Sequence, residues 1–426
     1  MPPRWIHSRS FASTLMLGLV VALLVWFIVS YPESAFEASL SGLSLWWRLI
    51  FPALLPFLML TELLAGFGVL HAAGVLLDPL LRRLFGIPGA GGYAVAVGLV
   101  GGFTAGPDAI TKLYGRGLVC RDDAERLIAL THISNPVTMV TIIGVGMLNS
   151  PQAGVMIAII HYSAGLAVGL LLPIVSKRKR AEQVNPSTGI RQQHELPKQN
   201  RKSNRSKSLI RQAVVAMQEA RRIDGRTFGK LLGDAVLSSN QSLLLLGGFV
   251  MLFSVFEQWI RQLLLAPIEA TGLVASSISM LLETHIGSIR IAKLEDLSML
   301  WKIALIGATL GWSGLAQHAQ VLGLARGAGL RFKPFLVARG LHAAIAFLLT
   351  FALWDPLARL LHWSVPGFMT ALDNVYNGAA FAPSLPAHFP LFGYADAWQA
   401  LGMALLLLVA TGASFGLLRL LVQRLR

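Results

Sequence analysis

The sequence predicts an all-α polytopic membrane protein of about eight transmembrane helices plus re-entrant hairpins, arranged as two inverted-topology repeats joined by a basic cytoplasmic linker. Composition is the first observation behind this, because 54% of the 426 residues are hydrophobic and only 13% are charged, far from the balance of a soluble domain. Long uncharged runs are the second, since they recur along the chain at lengths that cross a bilayer. The third is the placement of charge: residues 177–230 hold fifteen Lys or Arg against four acids, so +11 of the net +15 sits in one stretch. Basic loops stay on the cytoplasmic side, and this segment therefore orients the whole chain.

The elements follow in order. Residues 10–32 form a 23-residue uncharged run behind Arg4 and Arg9. Its length exceeds a signal-peptide core and no small-x-small cleavage site follows, so it reads as a retained span with its N-terminus inside. Residues 1–45 thus form an N-terminal helix and external loop. The first repeat covers 46–176, with spans near 46–70 and 84–107 and a 50-residue uncharged run at 127–176 that holds two more. The linker is 177–230. The second repeat covers 231–354, with runs at 235–256 and 303–325 and a shorter one inside 334–354. Residues 355–396, with one Arg, read as an external loop, and 397–426 as a last helix and basic tail. Trp46, Trp47, Trp354, Trp363 and Trp398 fall where interfacial aromatics are expected. With both ends and the linker inside, each half crosses an even number of times, which at four crossings requires 84–107 to dip in and return.

The halves resemble each other. Aligning Gly102 with Gly311 gives an offset of 209, and aligning His132 with His342 gives 210. The first repeat enters from outside and the second from inside, so the copies are inverted, an architecture common among secondary transporters with midplane sites at broken helices.

Candidate breaks carry polar residues. Gly101, Gly102, Gly106 and Pro107, followed by Asp108 and Lys112, end an apolar span. Either a hairpin has its tip at 102–108, or a span ends at the interface with Asp108 capping the next helix. In HISNP, Pro136 removes a backbone donor and frees the carbonyl of His132, with Ser134 and Asn135 beside it. That cluster is either a ligand site or helix-to-helix glue. The 13-residue run 270–282 is too short to span and suits a re-entrant limb leading into Glu283, His285 and Arg290. Glu283 and Arg290, seven apart, could neutralise each other at depth or be ordinary interfacial charges. The segment GWSGLAQHAQ offers Ser313, Gln317 and His318, with Gly311 and Gly314 permitting close packing or unwinding.

FPALLPF, GGFTAGPDAITKL, the SNP tripeptide and GWSGLAQHAQV together resemble the YlbJ-type sporulation integral membrane proteins, which carry the nucleoside-recognition or Gate domain. The similarity runs over about 46–350. The resemblance implies a relative of concentrative nucleoside transporters, implicated in moving dipicolinic acid from the mother cell across the outer forespore membrane. It further implies tip contacts at Gly102, Thr104, Gly106 and Asp108, broken-helix contacts at Ser134 and Asn135, and counterparts at Glu283, His285, Ser313, Gln317 and His318. Pro107 and Asp108 depart from the small and basic residues expected there, which weakens an anion-binding role for that tip.

A planar dianion needs cationic or amide partners. Arg290 and Arg339 are the candidate anion partners, with Lys112, His132 and His342 behind them. The partners expected are a small-molecule anion, the lipid bilayer and, for a homo-oligomer, a second copy; no nucleic acid is expected, since no stacking-and-basic module accompanies the basic run. Cys120 is the lone cysteine, no metal or organic cofactor is expected, and proton or sodium coupling stays open. The absence of HExxH, GxSxG, CxxC and Walker patterns argues against an enzyme or a direct ATPase. A nucleoside or other small-solute permease and a non-transporting sporulation scaffold are the competing readings.

Overall fold

A computed structural model describes residues 5–86, 89–175, 208–265 and 272–361, and these contain helices and no strand. The helices are α1 (Trp5–Ser30), α2 (Pro32–Leu45), α3 (Phe51–Gly66), α4 (Val69–Phe85), α5 (Ala90–Gly101), α6 (Ala105–Gly115), α7 (Arg121–Thr131) and α8 (Pro151–Val175). The second part holds α9 (Leu209–Asp224), α10 (Phe228–Ile260), α11 (Gly272–Leu282), α12 (Thr284–Ala292), α13 (Met299–Trp312), α14 (Gly314–Gly327) and α15 (Lys333–Leu360). Wider π-helical turns cover Trp46–Ile50, Thr138–Met147 and Arg261–Leu265.

Five helical stretches among the described residues are long and apolar enough to cross a membrane: Pro32–Gly66, Pro151–Leu172, Phe228–Leu263, Met299–Gly327 and Lys333–Leu360. Val69–Phe85 and Ala90–Gly101 make a sixth if that bent pair counts as one. The expected span at 397–418, most of the basic linker and the loop beyond 361 lie outside the described residues. The run 84–107 is not a single helix, because α4 stops at Phe85 and Gly86 turns left-handed with φ +63°. At 12 and 11 residues, α5 and α6 are each too short to span, and they pack on one another as a hairpin. Helix α15 continues to Leu360, so the first residues of the expected external loop are helical.

Element order recurs. A hairpin (α5–α6), a broken helix (α7 and 136–147) and a long helix (α8) are followed later by a hairpin (α11–α12), a broken helix (α13–α14) and a long helix (α15). This element order does not follow the register read from the sequence. Gly102 ends α5 at a hairpin tip, whereas Gly311 lies inside α13 with its α-carbon face against the backbone of Ala343. In that element order the Gly102 tip lines up with Glu283, 181 residues on, and His132 at the first break lines up with Ser313 at the second at the same interval. Glycine and alanine enrichment made the 209–210 alignment look better than it is.

The main core joins Ile50, Leu54, Ile142, Ile143, Ile157 and Ile160 of the first half to Leu243, Ile286, Ile306 and Leu310 of the second. Trp46 belongs to that core. Its Nε1–H donates to the Leu243 carbonyl at 2.9 Å, so it is buried against α10, while Trp47 is exposed. Across the other end, buried Glu125 of α7 accepts from the Arg331 backbone N–H (2.9 Å) and guanidinium (2.8 Å) in the α14–α15 connection. Burial alone would raise the Glu125 carboxyl, but the Arg331 bonds outweigh it and hold the group below its ordinary value.

Candidate functional site

The first break is imposed by Pro136. Residues 132–135 are non-helical, and helix resumes at Pro136. Proline should leave the His132 carbonyl without a partner, and that carbonyl accepts Arg339 Nη1 at 2.7 Å while Ala129 O accepts Nη2 at 2.6 Å. A guanidinium from α15 thus caps the broken end of α7. On the far side Asn135 Oδ1 accepts the Thr138 N–H (2.8 Å), a side-chain cap for the resuming helix. The Ser134 N–H donates to His161 Nε2 (3.1 Å) and its carbonyl accepts the Tyr162 hydroxyl (3.2 Å), both from α8.

The second break is tighter. Ser313 takes a left-handed conformation (φ +68°, ψ +8°) and Gly314 follows with φ +69°. Trp312 O, freed at the end of α13, accepts His318 Nε2–H at 2.7 Å. Opposite it, Glu283 is extended (φ −146°, ψ 134°) and separates α11 from α12. Its Oε2 accepts the Ile286 N–H at 2.7 Å and its Oε1 lies 2.9 Å from His285 Nδ1. A carboxylate at a helix N-terminus is favoured by the amides and dipole it faces.

Each hairpin tip rests on the break of its own half. A β-carbon on Gly102 would sit 3.1 Å from Asn135 Nδ2, and one on Gly314 would sit 3.0 Å from Glu283 Cα. His132 joins the halves: Nδ1–H donates to Phe103 O at the first tip (2.6 Å), and Nε2 lies 2.9 Å from Ser313 Oγ. A second link passes from His342 Nε2–H to His161 O (3.0 Å), with the two imidazoles stacked at 4.4 Å.

The predicted residues divide accordingly. Gly102, Ser134, Asn135, Glu283, Ser313 and Arg339 meet at or against the breaks. His285, Gln317 and His318 are buried beside them, with His318 committed to capping α13 and packed on Trp312 and Phe335. Thr104 precedes α6, and Gly106 lets that helix close on Thr131, where an added β-carbon would meet Thr131 Cβ at 2.5 Å. Asp108 stands apart, in the first turn of α6 and partly exposed, paired with Lys112 at 2.5 Å. Arg290 also stands apart. It does not neutralise Glu283, whose oxygens are taken by Ile286 and His285; it pairs instead with buried Glu257 of α10 at 3.3 Å, which also accepts Ser279 Oγ at 2.7 Å. Sequence reasoning missed His161, Tyr162 and Glu257. An ionisable group in an apolar run is itself a signal of function, and His161 and Glu257 could have been found that way.

Residues 47–167 match the nucleoside-recognition (Gate) domain family. Over 382 residues the chain is 35% identical to the sporulation integral membrane protein YlbJ of Bacillus subtilis (strain 168), covering 87% of this chain and 90% of that relative. The chain belongs to the YlbJ family. The Gate match within this YlbJ-family member contains the first hairpin, the first break and His161, and stops short of the second hairpin. No solved structure matches the chain.

Proposed function

We propose that this YlbJ-family membrane protein is a secondary transporter or facilitator of a small organic anion, dipicolinic acid, moved from the mother cell across the outer forespore membrane. Its two halves are inverted repeats, with the N-terminus, linker and C-terminus in the cytoplasm, and the cargo passes between the broken helices. The observation that carries this reading is Arg339, fully buried where the breaks meet and without an acidic partner among the described residues. A buried cation without a counter-ion is costly, and an anionic cargo supplies the missing charge. Unpaired polar atoms on the same segments support it, among them Thr131 Oγ1, Ser134 Oγ, His285 Nε2 and Gln317 Oε1, each of which a bound solute could satisfy.

Uptake into reconstituted vesicles tests the proposal. Saturable dipicolinate flux, lost in Asn135→Ala and Gln317→Ala, is the expected result; absence of dipicolinate flux in the parent protein overturns it. A nucleoside permease is the second reading, favoured by the nucleoside-recognition match at 47–167, and flux of uridine without dipicolinate would establish it.

A further inference from the structure

Residues separated by 181 positions touch each other twice, His132 with Ser313 and His161 with His342. In a two-fold arrangement a residue meets its own counterpart only on the axis. The line through these two contacts therefore marks the axis relating the halves. Against that likeness one charge is unmatched: the counterpart of Arg339 is Ala158, and the counterpart of Ser134 is Leu315.

Hydrogen bonding fixes which atoms are free. His161 Nε2 accepts the Ser134 N–H, so in the neutral ring the proton is on Nδ1, and Nδ1 is buried without a partner. His342 Nε2–H donates to His161 O, which leaves its Nδ1 to accept Arg339 Nη1 at 3.1 Å. Arg339 spends both Nη groups on the carbonyls of Ala129 and His132, yet its Nε–H is buried with no acceptor. Ser134 Oγ is likewise buried and unpaired. Three polar groups that can donate thus belong to one connected cluster, Ser134 bonded to His161, His161 stacked on His342 and His342 bonded to Arg339, and none has an acceptor of its own. Orphaned buried N–H groups are rare in folded proteins.

We propose that Ser134, His161 and Arg339 form a carboxylate-binding subsite on the line relating the two halves, separate from the hairpin tips. A carboxylate accepts from the Arg339 Nε–H, the His161 Nδ1–H and the Ser134 hydroxyl, and its charge offsets the guanidinium. The subsite rests on the anion-transport reading and narrows it to solutes bearing at least one carboxylate.

Equilibrium binding of radiolabelled dipicolinate, benzoate and uridine to the full chain in lipid nanodiscs tests this with two variants. In His161→Gln the amide oxygen takes the place of Nε2 and still accepts the Ser134 N–H, but no donor remains at the Nδ1 position. Both carboxylates are expected to bind at least about tenfold more weakly to it and to Ser134→Ala, the worth of a hydrogen bond to a charged group. Thermal melting of the ligand-free protein stays unchanged. Wild-type affinity for both carboxylates in both variants overturns the subsite, and if His161→Gln melts early, Ser134→Ala decides. Carboxylate binding that weakens as expected, without flux in vesicles, keeps the subsite and sinks the transporter. Binding of uridine and neither carboxylate sinks the subsite together with the anion reading.

Discussion

At the first break the chain leaves the helix for four residues, 132–135, driven by a proline, and the exposed carbonyls are capped from across the molecule by Arg339. At the second break the interruption is one left-handed residue, Ser313, and the freed carbonyl of Trp312 is capped from the next turn by His318. The facing hairpins differ in the same sense. Gly102 brings bare backbone to the first break, whereas Glu283 brings a carboxylate, engaged by His285 and an amide, to the second. The two breaks thus face different charges, a guanidinium from α15 at the first and a carboxylate from the α11–α12 junction at the second. Breaks built alike would present the same local field twice; these two do not.

The strongest test of that contrast is Arg339→Met, which leaves two buried carbonyls unpaired at the first break and is expected to destabilise the protein by about 3 kcal/mol, at roughly 1–3 kcal/mol for each unsatisfied group. Unfolding in mixed micelles measures it, and a loss under about 1 kcal/mol would mean the first break caps itself as the second does. Next is Gly102→Ala. With φ +83° and ψ −157° this residue occupies a region nearly exclusive to glycine, so a loss of about 2 kcal/mol is expected in the same unfolding assay. Ser313 gives a smaller and more pointed comparison. Ser313→Ala removes the contact with His132 Nε2 and keeps the left-handed strain, for a loss of about 1 kcal/mol, while Ser313→Gly relieves the strain and should unfold closer to the parent. If alanine proves the milder change, the conformation at 313 is not the cost taken here. Last, Asp108→Asn breaks only a partly exposed pair with Lys112 on one helix, and unfolding should shift by less than about 0.5 kcal/mol. A larger shift would bring Asp108 back among the residues that hold the tip.

Much of the first half was legible. Pro136 announces its break through covalent geometry alone, and a cluster of glycines marks the 101–106 tip, so Gly102, Ser134 and Asn135 could be named without coordinates. The second half was harder. Nothing near Ser313 forces a break, since no proline follows it; the left-handed turn is sustained by Gly314 closing on Glu283 and by the His132 contact. Helical spacing placed Glu283 and Arg290 on one face, a rule that fails once Glu283 is extended and caps α12 in place of joining it. The partners of Arg339 and Arg290 lie 210 and 33 residues away, beyond any local pattern.

Hydropathy, charge placement and the positions of proline and glycine were enough to establish a helical membrane protein with a basic central segment and an interrupted first half, because these depend on transfer to lipid and on local backbone sterics. The recurring order of hairpin, broken helix and long helix, the capping of α7 by Arg339, the burial of Trp46 and the pairing of Arg290 with Glu257 were settled by packing. In the membrane interior a polar group must find its partner wherever the helices bring one, and that distance is not written in the neighbouring residues.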